Sequence, residues 1–280
     1  MANWIMNLVK EKLIERGYTV TVESIDKCNI TKNALSVQIA DDVNALVYSD
    51  TIDSLYQTGG LSISEIVDSI IETFANPNLN WNTLKECLCD ADFVLKYSRL
   101  GICKESTNTG LIKTLLSKEL PGTDLVLYII IDSEYGCVKL TKALFDKLNL
   151  DCDYIFEKAK SNTCNMKNIL SMTEFITGNK NDHQDQLGLY IVTTQDYRYG
   201  ASLISSKEVL DEALSVLGTD YMYIIPSSVH EFIAMDPKLG DPKDILFLIK
   251  SVNDSGYLRP EDILSNRPYG YDGTQLSIPV

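Results

Sequence analysis

The sequence predicts an α+β fold: a mixed or antiparallel sheet built from two repeated hairpin–helix units with helices packed on it, plus a smaller N-terminal α/β part. The main observation is a pattern that occurs twice, in residues 127–148 and again in residues 189–217. Each copy contains an apolar strand, a turn with tyrosine and glycine, a second apolar strand and a helix. A second observation is that apolar residues also recur at helical spacing in 3–16 and 63–75.

The N-terminal part alternates helices with strands. Strands are predicted at 18–23 and 34–39, and residues 45–48 either extend a strand or open the next helix. The helix at 63–75 has a defined start, because Ser62 and Glu65 have the spacing of a capping box.

The middle of the chain is harder to interpret. A short helix is expected at 82–88, and Phe93–Leu95 is interpreted as a strand. The helix of the second copy is expected to begin at another capping pair, Ser205 and Glu208, and to end at Gly218.

The last elements follow the second copy. A strand at 221–225 is expected to pair with a hairpin partner at 229–235. Asp241 and Pro242 then have the residue types of an N-cap and a first helical residue, so a final helix begins there.

These elements predict three regions along the chain. They are an N-terminal helix–strand–helix part in 1–120, a repeated hairpin–helix domain in 121–256 and an irregular C-terminal tail in 257–280. The boundary near 120 rests on the Pro–Gly pair that precedes the first copy.

Composition and charge disfavour several classes of function. The chain has 25 Lys and Arg against 39 Asp and Glu, a net charge of −14, whereas nucleic-acid binding needs a basic footprint. No apolar stretch approaches the ~20 residues that span a bilayer, and the N-terminus lacks the pattern of a signal peptide. The seven cysteines are odd in number and irregularly spaced, which indicates reduced thiols and a cytoplasmic protein.

The sequence contains no standard cofactor or metal motif. Neither GxxxxGK[ST] nor GxGxxG after a strand is present. Cys87 and Cys89 lack the second pair that a zinc site normally shows, and His183 lies in a polar segment interpreted as a solvated loop. We therefore expect no cofactor and no metal.

Ser228, His230 and Glu231 are the candidate catalytic group, since hydroxyl, imidazole and carboxylate can act as nucleophile, base and orienting group. On a strand at 229–235, however, His230 and Glu231 would point to opposite faces. The favoured interpretation is that Ser227 and Ser228 bond turn backbone while His230 is a partly buried structural residue. The alternative is a hydrolase that uses Ser228 with His230.

Tyrosine and arginine side chains at turns are the candidate binding residues. The two repeated turns and the tail contribute Tyr135, Tyr197, Arg198, Tyr199, Arg267, Tyr269 and Tyr271. Both residue types are enriched at binding hot spots, although they also fill ordinary turns and cover sheet edges.

Several short segments spread over roughly residues 18–265 resemble one family. They are Leu189–Ile191, Tyr199–Ala201, Tyr223–Glu231 and Pro260–Ser265, with Asn33–Val37 and Ile63–Ile66 in the N-terminal part. Together they resemble an uncharacterised domain family of anaerobic gut bacteria and their mobile elements, of which the Pro-Ser-Ser-x-His-Glu string is the most specific piece. The resemblance implies a compact intracellular fold and a mobile-element setting, and it carries over no catalytic residue.

The sequence therefore predicts a non-enzymatic, cytoplasmic interaction protein. The expected partner is a host protein bound through an acidic, tyrosine-bearing surface, as for an accessory factor of a mobile element or an inhibitor of a basic defence enzyme. The alternatives are the hydrolase and a structural or virion-associated protein. Direct nucleic-acid binding is not expected, and the oligomeric state stays open.

Overall fold

The chain forms two compact units, Met1–Leu88 and Cys89–Val280, in a computed structural model that describes residues 3–40, 43–74, 81–178 and 187–279. Both units combine helices with sheets, and the described strand pairs are antiparallel. The predicted α+β class is therefore confirmed.

The first unit packs helices against a small sheet. Its elements in chain order are α1 (Asn3–Glu15), β1 (Val20–Lys27), β2 (Ile30–Ala40), β3 (Val43–Tyr48), α2 (Ser49–Gln57), α3 (Ile63–Phe74) and α4 (Trp81–Cys87). The strand order is β1-β2-β3, and apolar residues of α1 and α3 share one core. The predicted capping box of α3 is formed, because Glu65 N–H donates to Ser62 Oγ and Ser62 N–H donates to Glu65 Oε2.

The second unit contains two sheets. Its helices are α5 (Ala91–Tyr97), α6 (Thr109–Thr114), α7 (Lys142–Phe145), α8 (Cys152–Cys164), α9 (Met172–Thr177), α10 (Lys207–Leu217) and α11 (Pro242–Asp254), with 3₁₀ turns at Gly200–Ser205, Pro237–Leu239 and Pro260–Asp262. Its strands are β4 (Ser98–Lys104), β5 (Ser117–Glu119), β6 (Leu125–Ser133), β7 (Gly136–Lys139), β8 (Lys167–Ser171), β9 (Leu189–Thr194), β10 (Met222–Ile225), β11 (Phe232–Met235), β12 (Tyr269–Tyr271) and β13 (Leu276–Ser277). One sheet has the order β13-β12-β10-β11-β9-β8, and in the other β6 pairs with β4, β5 and β7.

The division between the units falls at Leu88–Cys89 rather than near residue 120. The reason is that β4 precedes residue 120 but pairs with β6 beyond it, from Ser98 opposite Ile131 to Lys104 opposite Leu125. The hydrogen bonds of this ladder would cross the boundary expected from the sequence.

The sequence predicted an irregular tail at 257–280, but the structure contains two strands there. Strand β12 pairs with β10, and β13 pairs with β12, so that the tail extends the six-stranded sheet. Tyr269 and Tyr271 are buried in this arrangement, and their burial supplies the apolar contacts that order the segment.

The repeated hairpin–helix unit is not confirmed. The first copy forms the hairpin β6–β7 followed by the short helix α7, but residues 201–204 of the second copy lie in a 3₁₀ helix instead of a strand. A strand has two edges, and those of β9 are already paired with β8 and β11. No edge of β9 remains for a hairpin partner, and the chain turns into a buried 3₁₀ segment.

Two local predictions were also wrong. Phe93–Leu95 lies in α5, whose N-cap Asp90 accepts a hydrogen bond from Asp92 N–H, and is not a strand. Helix α10 is capped by Ser206 rather than Ser205, since the Ser206 hydroxyl accepts from Val209 N–H. Its predicted C-cap is confirmed, because Gly218 has the left-handed φ of 67°.

His183 and the polar segment around it lie outside the described residues. Within the described ranges, none of the helices is both long enough and apolar enough to cross a membrane.

Candidate functional site

The predicted binding residues fall into two groups at opposite ends of β6. One group surrounds Asp132, near the end of the strand, and the other surrounds Asp124, just before its first residue. Because a strand rises about 3.3 Å per residue, these two aspartates lie about 26 Å apart. The structure therefore does not bring all the predicted residues into one site.

The group around Asp124 is structural. The Tyr269 hydroxyl donates to Asp124 Oδ1 at 2.5 Å, and Arg267 Nε lies 3.8 Å from Asp124 Oδ2. Burial, followed by the hydrogen bond to Asp124, raises the pKa of Tyr269 and keeps its phenol neutral. Tyr269 is buried and presents no binding surface, whereas Arg267 stays partly exposed. Tyr271 is buried as well, and its hydroxyl donates to Asp211 Oδ1 of α10 at 2.6 Å.

At the other end of β6, the two turns that the sequence singled out lie side by side. They are joined by a cluster of Arg99, Asp132, Asp196 and Arg198, which we call the arginine–aspartate cluster. Arg99 on β4 donates through Nη1 to Asp132 Oδ2 at 2.8 Å and to Asp196 Oδ2 at 2.6 Å. Its Nη2 donates to Asp196 Oδ1 at 3.1 Å and to the Arg198 carbonyl at 2.9 Å. One guanidinium thus connects β4, β6 and the turn after β9.

The electrostatics of the arginine–aspartate cluster keep both Asp196 and Arg99 charged. Partial burial alone would raise the pKa of Asp196, but hydrogen bonds from Arg99 and Thr194 outweigh it and lower the pKa to about 2. Burial likewise opposes the charge of Arg99, yet Asp196 and Asp132 raise its pKa overall. The side chain of Arg99 is only 6% exposed, so its removal would leave two carboxylates without their main partner.

The turn at 195–199 has an unusual backbone. Tyr197 and Tyr199 have φ angles of 56° and 59°, in the left-handed region that bulky residues rarely adopt. The other non-glycine residues with positive φ within the described ranges are asparagines, which tolerate this region. Thr194 Oγ1 accepts from Arg198 N–H at 3.0 Å, and the Tyr199 N–H donates to His230 Nδ1 at 3.2 Å. Tertiary contacts therefore hold the strained turn in place.

The candidate catalytic residues lie next to this turn without forming a nucleophile–base pair. The Ser228 hydroxyl accepts from the backbone N–H of His230 at 2.9 Å, and among the described contacts no hydrogen bond joins it to the imidazole. Because Nδ1 of His230 accepts from Tyr199 N–H, the proton of the neutral ring resides on Nε2, which lies 3.5 Å from Asp262 Oδ1. Asp262 rather than Glu231 faces the ring, and the imidazole supports the backbone of Tyr199.

Tyr199 itself is partly buried and participates in the junction between the turns. Its hydroxyl lies 3.4 Å from Cys137 Sγ on β7, and the guanidinium carbon of Arg198 lies 5.4 Å from its ring centroid. Burial, followed by the contact with Cys137, raises the pKa of Tyr199 to about 12, so the phenol is neutral near pH 7.

The residues that remain available at the surface are few. Tyr197 is 53% exposed, and Arg198 is half-exposed while its Nη1 donates to Asp132 Oδ1 at 3.2 Å. Tyr135, on the neighbouring turn, is half-buried against Phe93, with ring centroids 6.2 Å apart. The exposed part of the junction is thus an aromatic ring beside an arginine.

A polar cleft of about 420 Å³ opens beside the arginine–aspartate cluster. Charged and amide side chains that line it include Lys96, Arg99, Asp132, Glu134, Asn162 and Asp196. The four Nη hydrogens of Arg99 already have acceptors within the protein, and its fifth donor, the buried Nε–H, has no partner among the described residues. Among the described residues, no group of three or more His, Cys, Asp or Glu side chains is placed to hold a metal ion.

Sequence reasoning identified the tyrosine turn but missed the residues that hold it. Arg99 and Asp196 are 97 positions apart, and no local pattern links them. The signal that could have pointed to a constrained turn was an acidic residue close behind each apolar stretch: Asp132 directly follows Ile131, and Asp196 comes four residues after Val192.

Comparisons with known proteins give a family but no relative of known function. Neither the search of curated proteins nor the search of solved structures found a match. A family model with the description "Family of unknown function (DUF5688)" matches residues 2–273, nearly the whole length, and the chain therefore belongs to this family.

Proposed function

We propose that the chain is a non-enzymatic interaction protein that binds another protein through the turn at 195–199. The observation that carries the proposal is that Tyr197, an exposed aromatic residue, is held in a left-handed backbone conformation. For a bulky residue this conformation costs about 1–2 kcal/mol. Strain of this kind persists where the surroundings enforce it, and it is concentrated at binding and catalytic sites.

The surroundings also make the turn rigid before any partner arrives. Asp196 is paired with Arg99, and the backbone of Tyr199 is bonded to His230. A backbone that is already fixed loses little conformational freedom on binding, and tyrosine and arginine are both common at the centres of interfaces. The turn therefore has the properties of a small binding hot spot.

Charge indicates the chemistry of the partner. The chain has a net charge of −14, so a partner with a basic surface would be attracted at long range. In the finer form of the proposal, the chain acts in the bacterial cytoplasm as an accessory factor of a mobile element. Its partner would then be a basic, nucleic-acid-binding defence protein of the host, whose groove the acidic surface covers.

The test compares two exposed tyrosines. Tyr197→Ala removes the proposed hot spot, whereas Tyr257→Ala removes a residue that is 90% exposed elsewhere in the same unit. We expect a partner purified with the wild-type chain from host cells to be retained by Tyr257→Ala and lost with Tyr197→Ala, at unchanged melting temperature. Equal retention by both variants would contradict the proposal.

The salt dependence of binding tests separately the proposal that the acidic surface attracts a basic partner. Screening shortens the reach of surface charges to about 8 Å at physiological ionic strength and further at higher salt. Affinity for a basic partner should therefore fall as salt is raised. An affinity that is unchanged between low and high salt would exclude the charge-driven version and leave the role of Tyr197 intact.

A further inference from the structure

His230 holds the turn at 195–199 through a bond that only a neutral imidazole can make. The backbone N–H of Tyr199 donates to Nδ1 of His230 at 3.2 Å. A neutral imidazole has one acceptor nitrogen, whereas both nitrogens of the protonated ring are donors. Protonation of His230 would therefore place two donors opposite each other, and the bond to Tyr199 would be lost.

The other nitrogen of the ring faces a carboxylate. Nε2 of His230 lies 3.5 Å from Oδ1 of Asp262, at the end of the 3₁₀ turn Pro260–Asp262. This distance is longer than that of a good N–H···O hydrogen bond, but a charged donor bonds a carboxylate more strongly and at shorter range. The ring thus has two partners, because its neutral form favours Tyr199 and its charged form favours Asp262.

A proton can reach the ring without disturbing the backbone that carries it. The side chain of His230 is 28% exposed to solvent. Its backbone is held separately, because the N–H donates to Ser228 Oγ at 2.9 Å and the carbonyl accepts from Thr193 Oγ1 at 2.9 Å. A change in the charge of the imidazole therefore acts on the contacts of the ring, while the residue keeps its place in the chain.

The charged groups on the side of Asp262 are of both signs. Asp262 Oδ2 accepts from Arg259 Nε at 2.8 Å, so this carboxylate already has one cationic partner. Glu231 and Glu261 are the chain neighbours of His230 and Asp262. The three carboxylates outnumber the one guanidinium, so these side chains together do not repel a positive ring.

On the side of the turn, Tyr199 and its neighbours Arg198 and Asp196 keep their charge states in the pH range in which histidines titrate. The ring centroid of Tyr199 lies 5.8 Å from that of the imidazole. Burial, followed by the contact with Cys137, raises the pKa of Tyr199 to about 12, and Cys137 meets the phenol at its hydroxyl, away from the backbone N–H. Arginine stays protonated, and the pKa of Asp196 is about 2. Histidine is the residue type that changes its charge between about pH 5 and 8.

We propose that His230 is a pH-dependent switch for the turn at 195–199. At neutral pH its Nδ1 accepts from the Tyr199 N–H and holds the left-handed backbone of that residue, whose φ is 59°. In mildly acidic solution a proton from the solvent binds Nδ1, the bond to Tyr199 breaks, and the imidazolium pairs through its Nε2–H with Asp262. The backbone strain at Tyr199 is then no longer opposed by this bond.

The switch is local, and its consequence for binding rests on the proposed function. The pair of Arg99 with Asp196 and the hydrogen bond from the Arg198 N–H to Thr194 hold the first part of the turn. Residues that adjoin Tyr199 gain freedom when its bond to the imidazole is lost, and they include the proposed hot spot two positions earlier. A less fixed turn loses more conformational freedom on binding, so the affinity for a partner should fall in mild acid.

The first test follows the Tyr199 amide by NMR and needs no partner. The chain has two histidines and 15 tyrosines, so selective isotope labelling gives few signals, and His183→Gln, Tyr199→Phe and Tyr135→Phe assign those of interest. Between about pH 8 and 5 the Tyr199 amide should shift with the same midpoint as the His230 ring. Its protection from hydrogen exchange should fall about fivefold, as expected for the loss of one neutral hydrogen bond. The Tyr135 amide, bonded to the Ser133 hydroxyl, is the internal reference and should not shift.

His230→Asn is the matched control. An asparagine side chain places its carbonyl oxygen the same number of bonds from Cα as Nδ1 of histidine, so it can accept from the Tyr199 N–H and does not titrate. In this variant the Tyr199 amide should not respond to pH. Asp262→Asn removes the partner of the imidazolium, and the loss of the Tyr199 bond should then require a lower pH.

Three results would overturn the switch. They are a Tyr199 amide that does not respond while the His230 ring titrates, a ring that stays neutral down to about pH 5, and an equal response in His230→Asn. If His230→Asn does not fold, the comparison of the Tyr199 and Tyr135 amides in the wild-type chain still decides, because an equal shift of both would overturn the switch.

A binding measurement separates the switch from the proposed function. The affinity of the wild-type chain for a partner purified from host cells should fall about fivefold between about pH 7.5 and 5.5, and that of His230→Asn should stay constant. An equal fall in both chains would overturn the regulatory role of His230. A Tyr199 amide that switches as expected, together with a partner that is still bound by Tyr197→Ala, would contradict the proposed function and support the switch.

Discussion

The turn between β6 and β7 and the turn after β9 carry the same tyrosine–glycine pattern but have different backbones. The first is a tight hairpin in which Ser133 pairs with Gly136. The second spans residues 195–199, places Tyr197 and Tyr199 in the left-handed region, and leads into a 3₁₀ helix. The difference shows that a short sequence pattern does not determine the conformation of a turn when its flanking strands have different neighbours.

The two turns also differ in what stabilises them. The hairpin is held by the ladder between β6 and β7, which is a local interaction. The second turn depends on distant groups, since Arg99 bonds Asp196 and His230 bonds the backbone of Tyr199. The second turn should therefore respond more strongly than the hairpin to substitutions far away in sequence.

The largest expected effect comes from Arg99→Met, which removes the shared partner of Asp132 and Asp196. Breaking a buried ion pair by removing one partner costs about 3–5 kcal/mol. Arg259→Met is the control, because Arg259 is well exposed in its pair with Asp262 and an exposed pair contributes about 1 kcal/mol or less.

Urea unfolding followed by far-UV circular dichroism measures this difference. Both tryptophans, Trp4 and Trp81, belong to the first unit, so their fluorescence provides an internal reference within the same sample. Equal losses for Arg99→Met and Arg259→Met would mean that the arginine–aspartate cluster does not hold the second turn.

The next prediction compares the loss of stability on replacing one glycine in each turn, Gly200 in the second turn and Gly136 in the hairpin. A Cβ at Gly200 would lie 2.5 Å from the His230 carbonyl oxygen and 2.6 Å from Thr193 Cα, both of which are backbone atoms. Gly200→Ala should therefore cost about 3 kcal/mol through overpacking. Gly136 has a φ of 136°, and Gly136→Ala should cost about 1 kcal/mol through backbone strain. Thermal unfolding that gives the reverse order would show that the hairpin is the more constrained turn.

The fold was predictable where local physics determines an element. Helices α1 and α3 begin and end within about two residues of their predicted positions, and α11 begins at its predicted first residue, because apolar spacing and capping residues are properties of the segment itself. Residues 201–204 could not be predicted, since their conformation depends on which strands occupy the edges of β9. The tail was missed for a similar reason, because β12 is ordered by its pairing with β10.

The site was predictable only in part. Turn position and residue type were sufficient to single out Tyr197 and Arg198 as surface residues. Tyr269 has the same residue type and a similar glycine neighbour, yet its hydroxyl is bonded to Asp124 and its ring is buried. Burial is a property of the whole fold, so a single sequence could not separate these tyrosines.

A smaller effect on the free energy of unfolding is expected when the pH is varied. The pKa of Asp196 is about 2 in the folded chain, below its ordinary 3.8, so protonation favours the unfolded state. The stabilisation from Asp196 is complete above about pH 5 and is lost progressively as the pH falls toward about 2. The difference in unfolding free energy between the wild type and Asp196→Asn should be constant from neutral pH to about pH 5 and shrink below that. A difference that stays constant down to pH 2 would mean that the Arg99–Asp196 pair does not stabilise the fold.

The smallest expected effect has the opposite sign and connects the turn with function. Tyr197→Asn puts a residue that tolerates positive φ in place of a bulky one, and Tyr197 is too exposed to lose much packing. We expect a gain of about 0.5–1 kcal/mol in the free energy of unfolding. Tyr135→Asn in the hairpin should give no gain, because it relieves no left-handed strain and removes the contact with Phe93.

The affinity for a partner completes this test, because a substitution that relieves functionally important strain stabilises the fold but weakens the function. If Tyr197 is retained for a partner, the more stable variant Tyr197→Asn should bind that partner less tightly. A variant that is more stable and binds equally well would show that the strain has no role in recognition. A variant that is no more stable would show that contacts to Tyr197 in the folded chain already compensate for its backbone, and the turn would then lose the observation on which its proposed function rests.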